Sequence, residues 1–229
     1  MATRRERTGR RSKQDRVAVR DPDGTKRALI ESAVSLFERS GYAATSVQRI
    51  VDDARLTKGA FYHHFASKED LLFEIHEDFM DYQLGRAVEV VARDMAADEQ
   101  LRALVTEALL EPMSKYKSEI AVFIQERRFL VGPLFDEIKD KRDKFERCFV
   151  EVIERGMETG VFRRIGPPRL VAFGVIGMGA WTYSWLDAEG AVSPTEIGEM
   201  YGEMLVDGLM AGTDATNSRS QLLEGSSSN

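Results

Sequence analysis

The chain has 229 residues, of which 43% are hydrophobic, so it can bury a sizeable core in one large domain or two modest ones. No apolar run approaches the roughly 18 residues of a membrane span, and the arginine-rich N-terminus lacks the apolar segment of a secretory signal. The single cysteine, Cys148, excludes an internal disulfide framework, so we expect a cytoplasmic protein.

The charge is distributed unevenly, although the whole chain carries a net charge of −6. Residues 1–70 contain fifteen Lys and Arg against ten Asp and Glu, a net of +5, which leaves −11 for residues 71–229. This asymmetry predicts a basic part that meets an anion and an acidic part with a different task.

Residues 1–24 are too basic and too poor in apolar side chains to form a core, so we expect a disordered arm. Its basic residues are Arg4, Arg5, Arg7, Arg10, Arg11, Lys13, Arg16 and Arg20. Two interpretations stay open, a solubilising tail or an arm that follows a nucleic-acid backbone or enters a minor groove. Residues 213–229, which end in "EGSSSN", are expected to form a disordered tail.

Helical periodicity begins at residue 25 with a long helix and two short ones. The segment "TKRALIESAVSLFERSG" has apolar residues at helical spacing, namely Ile30, Ala33, Val34 and Phe37. Gly41 follows as a helix stop. Short helices are predicted in "TSVQRIVDDA" and in "KGAFYHHF", the second with Thr57 as its N-cap. Ser67 and Asp70 form a capping box that opens a long fourth helix.

The acidic part continues as longer helices, and no alternation typical of strands occurs, so an all-α fold is predicted. Helices are expected over residues 99–115, 117–131, 133–160, 168–186 and 194–211. Gly160 is expected to end the third of these. Ser193 and Glu196 form a capping box that has Pro194 at the first helical position.

The stretch "LTKGAFYHHFASKEDLL", residues 56–72, contains the most conspicuous polar side chains of the chain. His63 and His64 are neighbours about 100° apart on a helix, so they cannot hold one metal ion together, and His76 lies in another helix. No Ser/His/Asp or Cys/His grouping is recognisable. We therefore expect no metal site, no catalytic residues and no cofactor, and an enzyme is the least favoured class.

A contact surface explains this stretch better. Phe61 and Phe65 share the side that faces a core, whereas polar side chains and a glycine occupy the other side of the short helix. This second set comprises Thr57, Lys58, Gly59, Tyr62 and His63. Gly59 lets the backbone approach another surface closely. Two short helices joined by a tight turn are typical of a helix-turn-helix, whose second helix enters the DNA major groove.

Residues 25–72 resemble the DNA-binding domain of the tetracycline-repressor-like (TetR) family of transcriptional regulators. The matching segments are "LFERSGYAATSV", "TKGAFYHHF" and "SKEDLL". The resemblance implies binding to a double-stranded DNA operator. In this family pattern Thr45 and Ser46 contact phosphates, and Lys68 contacts the DNA backbone. The resemblance also implies that Thr57, Lys58, Gly59, Tyr62 and His63 face the groove. Arg55 departs from the small residue common in the turn, which alters the turn or adds a phosphate contact.

The same resemblance implies that residues 73–212 form a ligand-binding and dimerisation domain. The last two helices, 168–186 and 194–211, would pair with their copies in a homodimer that reads a near-palindromic operator. Small residues suited to close packing of these helices are Gly174, Gly177, Gly179 and Ala180. The segment "GVIGMGAW" does not have the spacing of a dinucleotide-binding loop.

Methionine and aromatic side chains of the acidic part suit an adaptable apolar cavity, with ordinary core as the alternative for each. The ligand-binding candidates are Met113, Phe123, Arg127, Met178, Trp181 and Tyr183. Arg127 needs a partner, either Glu126 or an anionic group of a ligand. The segments "TGVFR" and "WLDAEGAVSPTEIGEMYGEMLVDGL" are similar to those of TetR-family members that respond to acyl-CoA thioesters, which implies this class of effector. The alternative effector is another hydrophobic metabolite or a drug.

The sequence thus predicts a ligand-responsive, homodimeric DNA-binding regulator, most often a repressor in this family, with a small hydrophobic effector. The alternative is a helical ligand- or protein-binding module without sequence-specific DNA recognition.

Overall fold

The computed structural model of the protein describes residues 22–187 and 190–210. The predicted arm lies outside these residues except for its last three, which begin the first helix, and the predicted tail lies outside them entirely. The α-helices in the described residues are α1 (Pro22–Ser40), α2 (Val47–Asp53), α3 (Lys58–His64), α4 (Lys68–Val91), α5 (Ala97–Ala103), α6 (Met113–Glu126), α7 (Gly132–Glu158), α8 (Pro168–Trp181) and α9 (Pro194–Leu209). The predicted all-α class is confirmed, and an isolated bridge joins Phe162 to Met210.

The first three helices, hereafter the head, are stabilised by a common apolar core. Its fully buried members include Leu29, Ala33, Phe37, Ile50 and Phe61. Gly41 ends α1 with a φ of +80°, a conformation that glycine adopts without strain, as predicted. The core fixes α3 against α1 and α2, so that only one side of α3 is left for another molecule.

Side chains cap the short helices as the sequence predicts. Thr57 Oγ1 accepts the Ala60 N–H at 3.1 Å, and Ser67 Oγ accepts the Asp70 N–H at 3.0 Å. The Asp70 carboxylate in turn accepts the N–H of Ala66 at 2.9 Å rather than that of Ser67. The start of α4 therefore has both hydrogen bonds of a capping box, except that the Asp70 carboxylate binds the N–H of the residue before the N-cap.

Helix α4 extends from the head into the rest of the molecule. The predicted domain boundary between residues 72 and 73 falls inside this single 24-residue helix. Its buried side packs on α6 and α7 and includes Leu72, Ile75 and Phe79. Helix α4 thus joins the head to the rest of the molecule by continuous helical backbone.

The predicted helix boundary at residue 116 is present as a kink, because Tyr116 has non-helical backbone angles (φ −116°, ψ 23°) inside α6, and a further interruption that was not predicted lies at residues 111–112. Helix α5 continues into a π-helical segment, Leu104–Leu110, and the next helix starts at Met113. The reason is Pro112, which has no N–H to donate and whose ring clashes with the carbonyl four residues earlier. The helix therefore has a wider, π-helical turn before the proline, in which the Glu111 N–H donates to the Thr106 carbonyl five residues earlier at 2.8 Å.

Several predicted helix ends differ from the structure, including that of α9, which ends at Leu209 instead of residue 211. Helix α6 ends at Glu126 and is followed by a 3₁₀ turn, Arg127–Phe129; α8 ends at Trp181 and is followed by a second 3₁₀ turn, Thr182–Ser184. The helix predicted for residues 133–160 is α7, which ends at Glu158. Gly160, the predicted stop, follows in a left-handed conformation. The capping box of Ser193 and Glu196 at the start of α9 is confirmed.

Glycines bring α8 and α9 close to the π-helical segment of the same chain. A Cβ on Gly198 would lie 2.8 Å from the Thr106 Cα, and one on Gly179 would overlap the Leu109 side chain. Gly179 is therefore required for packing within the chain, whereas Gly174 and Gly177 have open space beside them. Within the described ranges, no helix is long and apolar enough to cross a membrane.

Candidate DNA-binding surface and ligand cavity

The exposed side of α3 holds the residues predicted to face the groove. Phe61 is fully buried, and Lys58, Gly59, Tyr62 and His63 lie on the solvent side, with 57% of Tyr62 exposed. Thr57 is exposed at the N-terminal end, where its hydroxyl caps the helix. The structure thus gathers the five predicted residues on one exposed surface, hereafter the reading surface. Their contacts with DNA stay predictions.

Among the described residues, no contact requires residue 59 to be a glycine. A Cβ placed there would meet only Thr57 Oγ1, at an ordinary distance of 3.6 Å. Alanine is also the better helix former, so the absence of a side chain carries a cost in helix stability. The close approach of another surface to the backbone of α3 at Gly59 stays a prediction.

Thr45 and Ser46, the two predicted phosphate contacts at the start of α2, differ in exposure. Ser46 is exposed and its Oγ accepts the Arg49 N–H at 3.2 Å. Thr45 is only 1% exposed, and its hydroxyl donates to the Gly41 carbonyl at 2.9 Å. Its backbone N–H is also used, by the Tyr42 carbonyl at 3.2 Å. Thr45 is thus a buried part of the turn in this structure, and its phosphate contact stays a prediction.

Lys68, the predicted contact with the DNA backbone, makes bonds within the chain, and its contact with DNA stays a prediction. Its ammonium group donates to the carbonyls of Tyr42 and Thr45, both at 2.7 Å, and lies 4.0 Å from the centre of the Tyr42 ring. Burial lowers the pKa of Lys68, and the nearby Glu126 carboxylate opposes that effect. We therefore interpret Lys68 as a tie between the start of α4 and the turn between α1 and α2.

We expect Lys68→Met to lower the free energy of unfolding by about 1–3 kcal/mol, because two bonded carbonyls lose a charged donor. Operator binding would weaken indirectly, through a loosened turn. The measurement is operator affinity at several salt concentrations, together with urea unfolding. If Lys68 only holds the start of α4 against the turn, its replacement leaves the slope of log K against log salt unchanged. If Lys68 contacts a phosphate, the replacement reduces the magnitude of this slope by about one unit.

Two arginines lie near the reading surface: Arg49, which was not among the predicted contacts, and Arg55, for which a phosphate contact was one of two predicted alternatives. Arg49 is exposed, and its guanidinium donates to the Ala44 carbonyl at 3.2 Å and to Ser40 Oγ at 3.4 Å. These bonds hold the charge beside Ser46, and the three-residue spacing from Ser46 is the signal that places both on one side of α2.

Arg55 occupies the turn between α2 and α3 with a φ of +56°. This left-handed conformation favours glycine, so an arginine there costs about 1–2 kcal/mol. The turn is therefore left-handed despite the arginine, and the exposed side chain of Arg55 adds positive charge beside α3.

A largely apolar cavity of about 160 Å³, hereafter the inner cavity, lies between α4, α6, α7 and α8. Three of the six predicted ligand residues line it, namely Met113, Phe123 and Arg127. Phe79 and Met80 of α4 form another wall. A ligand in this space would therefore touch the helix that continues into the head.

The other three predicted ligand residues do not line the inner cavity. Helix α8 turns Ile176 and Ala180 towards it, and Met178, which is two positions from each, points about 200° away. Trp181 is 65% exposed, and Tyr183 packs against the core from the following 3₁₀ turn. Aromatic composition alone did not reveal which side of α8 faces inward.

Polar groups are concentrated at one side of the inner cavity, where Arg142 and Glu146 of α7 lie 3.5 Å apart. Glu146 also lines an adjoining groove of about 320 Å³, hereafter the outer groove, together with Arg147 and Arg169. The Arg142–Glu146 pair thus stands between an apolar space and a groove that offers two exposed guanidinium groups.

Of the two alternative partners expected for Arg127, Glu126 instead contacts the head. Glu126 turns away from the inner cavity, and its Oε1 accepts the Tyr42 N–H at 3.2 Å. Arg127 is exposed beside the cavity.

In the described part of the chain, no three His, Cys, Asp or Glu side chains are grouped as metal ligands. Cys148 is buried, and burial raises the pKa of its thiol, which disfavours the nucleophilic thiolate.

Comparison with family models identifies both parts of this arrangement. Residues 29–75 match the model for bacterial regulatory proteins of the tetR family, and residues 94–209 match the tetracyclin repressor-like C-terminal domain. The chain belongs to the TetR family. It is therefore a DNA-binding transcriptional regulator and not an enzyme, and the helix-turn-helix interpretation of α2 and α3 is confirmed.

Characterised TetR-family proteins resemble the chain over most of its length. The HTH-type transcriptional repressor KstR2 of Rhodococcus jostii is 31% identical over 188 residues, 81% of this chain and 91% of that protein. The structure of the ketosteroid transcriptional regulator KstR2 of Mycobacterium tuberculosis superposes with a TM-score of 0.76 at 26% identity, covering 82% of this chain and 95% of the other. AibR in complex with isovaleryl coenzyme A and operator DNA gives 0.69 at 28% identity, covering 81% and 98%.

Proposed function

We propose that this TetR-family regulator is a homodimeric repressor that leaves a near-palindromic operator when an acyl-CoA thioester binds. The observation that carries the proposal is the position of the inner cavity against α4. Phe79, Met80 and Gln83 of α4 line the cavity, and the same helix begins at Lys68 beside the head. A ligand that displaces α4 changes the orientation of the reading surface.

The exposed side of α8 and α9 supports the homodimer. These helices leave large apolar side chains in contact with solvent: Leu170, Phe173, Trp181, Met200 and Met204. Contiguous apolar surface of this kind marks an interaction site in soluble proteins. A second copy is the occupant that also places two reading surfaces on successive major grooves.

The chemistry of the two adjoining spaces supports the ligand class. The inner cavity is mostly apolar, and its volume of about 160 Å³ suits an acyl group rather than a whole coenzyme A. Arg147 and Arg169 of the outer groove can pair with phosphate oxygens, although the carboxylates of Asp143 and Glu146 line the same groove. That AibR was solved with isovaleryl coenzyme A, at 28% identity to this chain, adds independent support.

Release from DNA depends on a difference in affinity. The acyl ligand must bind the conformation with displaced reading surfaces better than it binds the operator-bound one, since a ligand of equal affinity for both shifts nothing. A coupling of about 1–3 kcal/mol, or 5- to 150-fold in operator affinity, is typical of such regulators.

The experiment is a titration of DNA from upstream of the protein's own gene, against scrambled DNA, at two salt concentrations. A preference that survives the higher salt identifies an operator. Isovaleryl-CoA, octanoyl-CoA and free coenzyme A are then added to the operator complex. Release by a thioester but not by coenzyme A supports the effector class, and tight binding of a thioester without loss of operator affinity contradicts it.

The dimer is tested separately with Leu170→Glu combined with Met204→Glu. A pair of buried like charges at a two-fold interface is expected to give a monomer in sedimentation and to abolish tight operator binding. Val88→Glu, which changes an exposed apolar residue on α4, is the matched control. An unchanged dimer in the double variant would place the interface elsewhere.

A further inference from the structure

The end of α6 touches the inner cavity and the head with neighbouring residues. Arg127 lines the cavity, and the preceding residue, Glu126, is only 6% exposed and reaches the turn after α1. These two residues straddle the point where the α-helix changes to the 3₁₀ turn Arg127–Phe129. Any rearrangement of this turn moves both contacts together.

Tyr42 is the residue of the head that receives this contact. Its N–H donates to Glu126 Oε1 at 3.2 Å, and its ring centre lies 4.9 Å from that of Phe129 and 5.2 Å from that of Phe37. Its carbonyl accepts the Lys68 ammonium at 2.7 Å. Tyr42 is thus held by the end of α6 on one side and by the start of α4 on the other.

Gly41 leaves room for the carboxylate. A Cβ on Gly41 would lie 3.4 Å from Glu126 Oε1, which is a close contact, and the φ of +80° already favours glycine. The helix stop after α1 therefore also forms the place where Glu126 binds.

Using the buried Glu126 carboxylate to hold the end of α6 against the turn after α1 has a desolvation cost. Glu126 Oε2 is buried without a hydrogen-bond partner among the described residues, although Lys68 nearby supplies an opposite charge. A well-packed apolar side chain would join α6 to the head without leaving a buried oxygen unpaired. The contact is better explained as one that forms and breaks than as one that adds stability.

We propose that Glu126 is a positioning residue that links the inner cavity to the head, in parallel with the continuous backbone of α4. The 3₁₀ turn Arg127–Phe129 is the element with two arrangements. In one, Glu126 accepts the Tyr42 N–H and holds the turn between α1 and α2; in the other, a ligand beside Arg127 rotates the turn and withdraws the carboxylate. The ligand step rests on the proposed function, whereas the link itself does not.

The test compares Glu126→Ala and Glu126→Gln in the full-length protein. The glutamine keeps an oxygen that can accept the Tyr42 N–H but removes the charge, and the alanine removes both. Gln125→Ala is the matched control, because Gln125 is the exposed neighbour on the same helix. The first readout is hydrogen exchange of the segment 120–131 with and without operator DNA, since coupling between two sites is reciprocal.

Operator binding is expected to change exchange in this segment of the wild-type protein and of Gln125→Ala. The response should be lost in Glu126→Ala and reduced in Glu126→Gln, while the head remains protected by DNA in all four proteins. Equal responses in the wild-type protein and Glu126→Ala would overturn the proposal, and so would the absence of any response in the wild type.

The second readout is the ratio of operator dissociation constants with and without isovaleryl-CoA or octanoyl-CoA. This ratio is expected to fall from about 5-fold or more towards 1 in Glu126→Ala. A contact that only stabilises the fold would lower stability and leave the ratio unchanged. If neither thioester affects the wild-type protein, the ligand class is wrong, and the exchange experiment, which uses DNA alone, still decides the role of Glu126.

Discussion

Replacing Gly59 by alanine is expected to stabilise the free protein by about 0.5–1 kcal/mol while weakening operator binding about 10- to 100-fold. Alanine fits the helix, because its Cβ meets only Thr57 Oγ1 at 3.6 Å. The same methyl group would stand on the reading surface, where it holds the backbone of α3 away from the DNA. Stability and affinity should therefore change in opposite directions.

The measurement pairs urea unfolding with operator titration, and Gly85→Ala is the matched control. Gly85 is an exposed glycine inside α4 with open space around it, so alanine there should give a similar gain in stability and no change in affinity. If Gly59→Ala bound the operator as tightly as the wild-type protein does, the backbone of α3 would not approach DNA closely at this position.

Replacing His76 by leucine is expected to remove a large part of the acid sensitivity of the fold. His76 is completely buried in α4, its ring centre lies 5.1 Å from that of Phe123, and neither nitrogen has a partner among the described residues. Burial lowers the pKa of His76 from 6.5 to about 3. The native protein therefore holds this histidine neutral.

The sign of the pH dependence follows from proton uptake. Below pH 6.5 the unfolded chain binds a proton at His76, and the native protein does not bind it until the pH approaches 3, so acid favours the unfolded state. The free energy of unfolding should fall by about 1.4 kcal/mol per pH unit in this window, or roughly 2 kcal/mol between pH 6.5 and 5.

The measurement is urea unfolding at pH 7.5, 6.0 and 5.0, where the difference between the wild-type protein and His76→Leu isolates this group. At pH 7.5 the leucine variant should also be at least as stable, because two buried nitrogens without partners are removed. His63→Gln, which changes an exposed histidine, should keep the wild-type slope. Parallel curves for the wild-type protein and His76→Leu would mean that His76 is protonated or hydrated in the native state.

The helix-turn-helix was predictable because its signals are local. Caps depend on residues three positions apart, such as Thr57 with Ala60 and Ser67 with Asp70, and the buried side of α1 follows from helical spacing. The exposed side of α3 follows in turn, since Phe61 and Phe65 must face the core. These features need no knowledge of distant parts of the chain.

The roles of Thr45 and Lys68 were not predictable in the same way. Both residue types suit a phosphate contact, but the hydroxyl is turned into the protein and the ammonium group binds two carbonyls more than 20 positions away. The resemblance to the family indicates which sequence positions can contact DNA. The packing of this chain decides whether the Thr45 hydroxyl and the Lys68 ammonium group are available for such a contact.

By itself the sequence determined the all-α class, the helix-turn-helix, the main caps and the glycine stops, because each is set by spacing within one or two helical turns. The tertiary structure decided which side of α8 faces the inner cavity, so that Ile176 lines it and Trp181 does not. It also decided that Glu126 meets Tyr42 across 84 positions of sequence. The physical reason is that contacts between distant elements depend on how whole helices pack, and helical periodicity specifies only which sides are apolar.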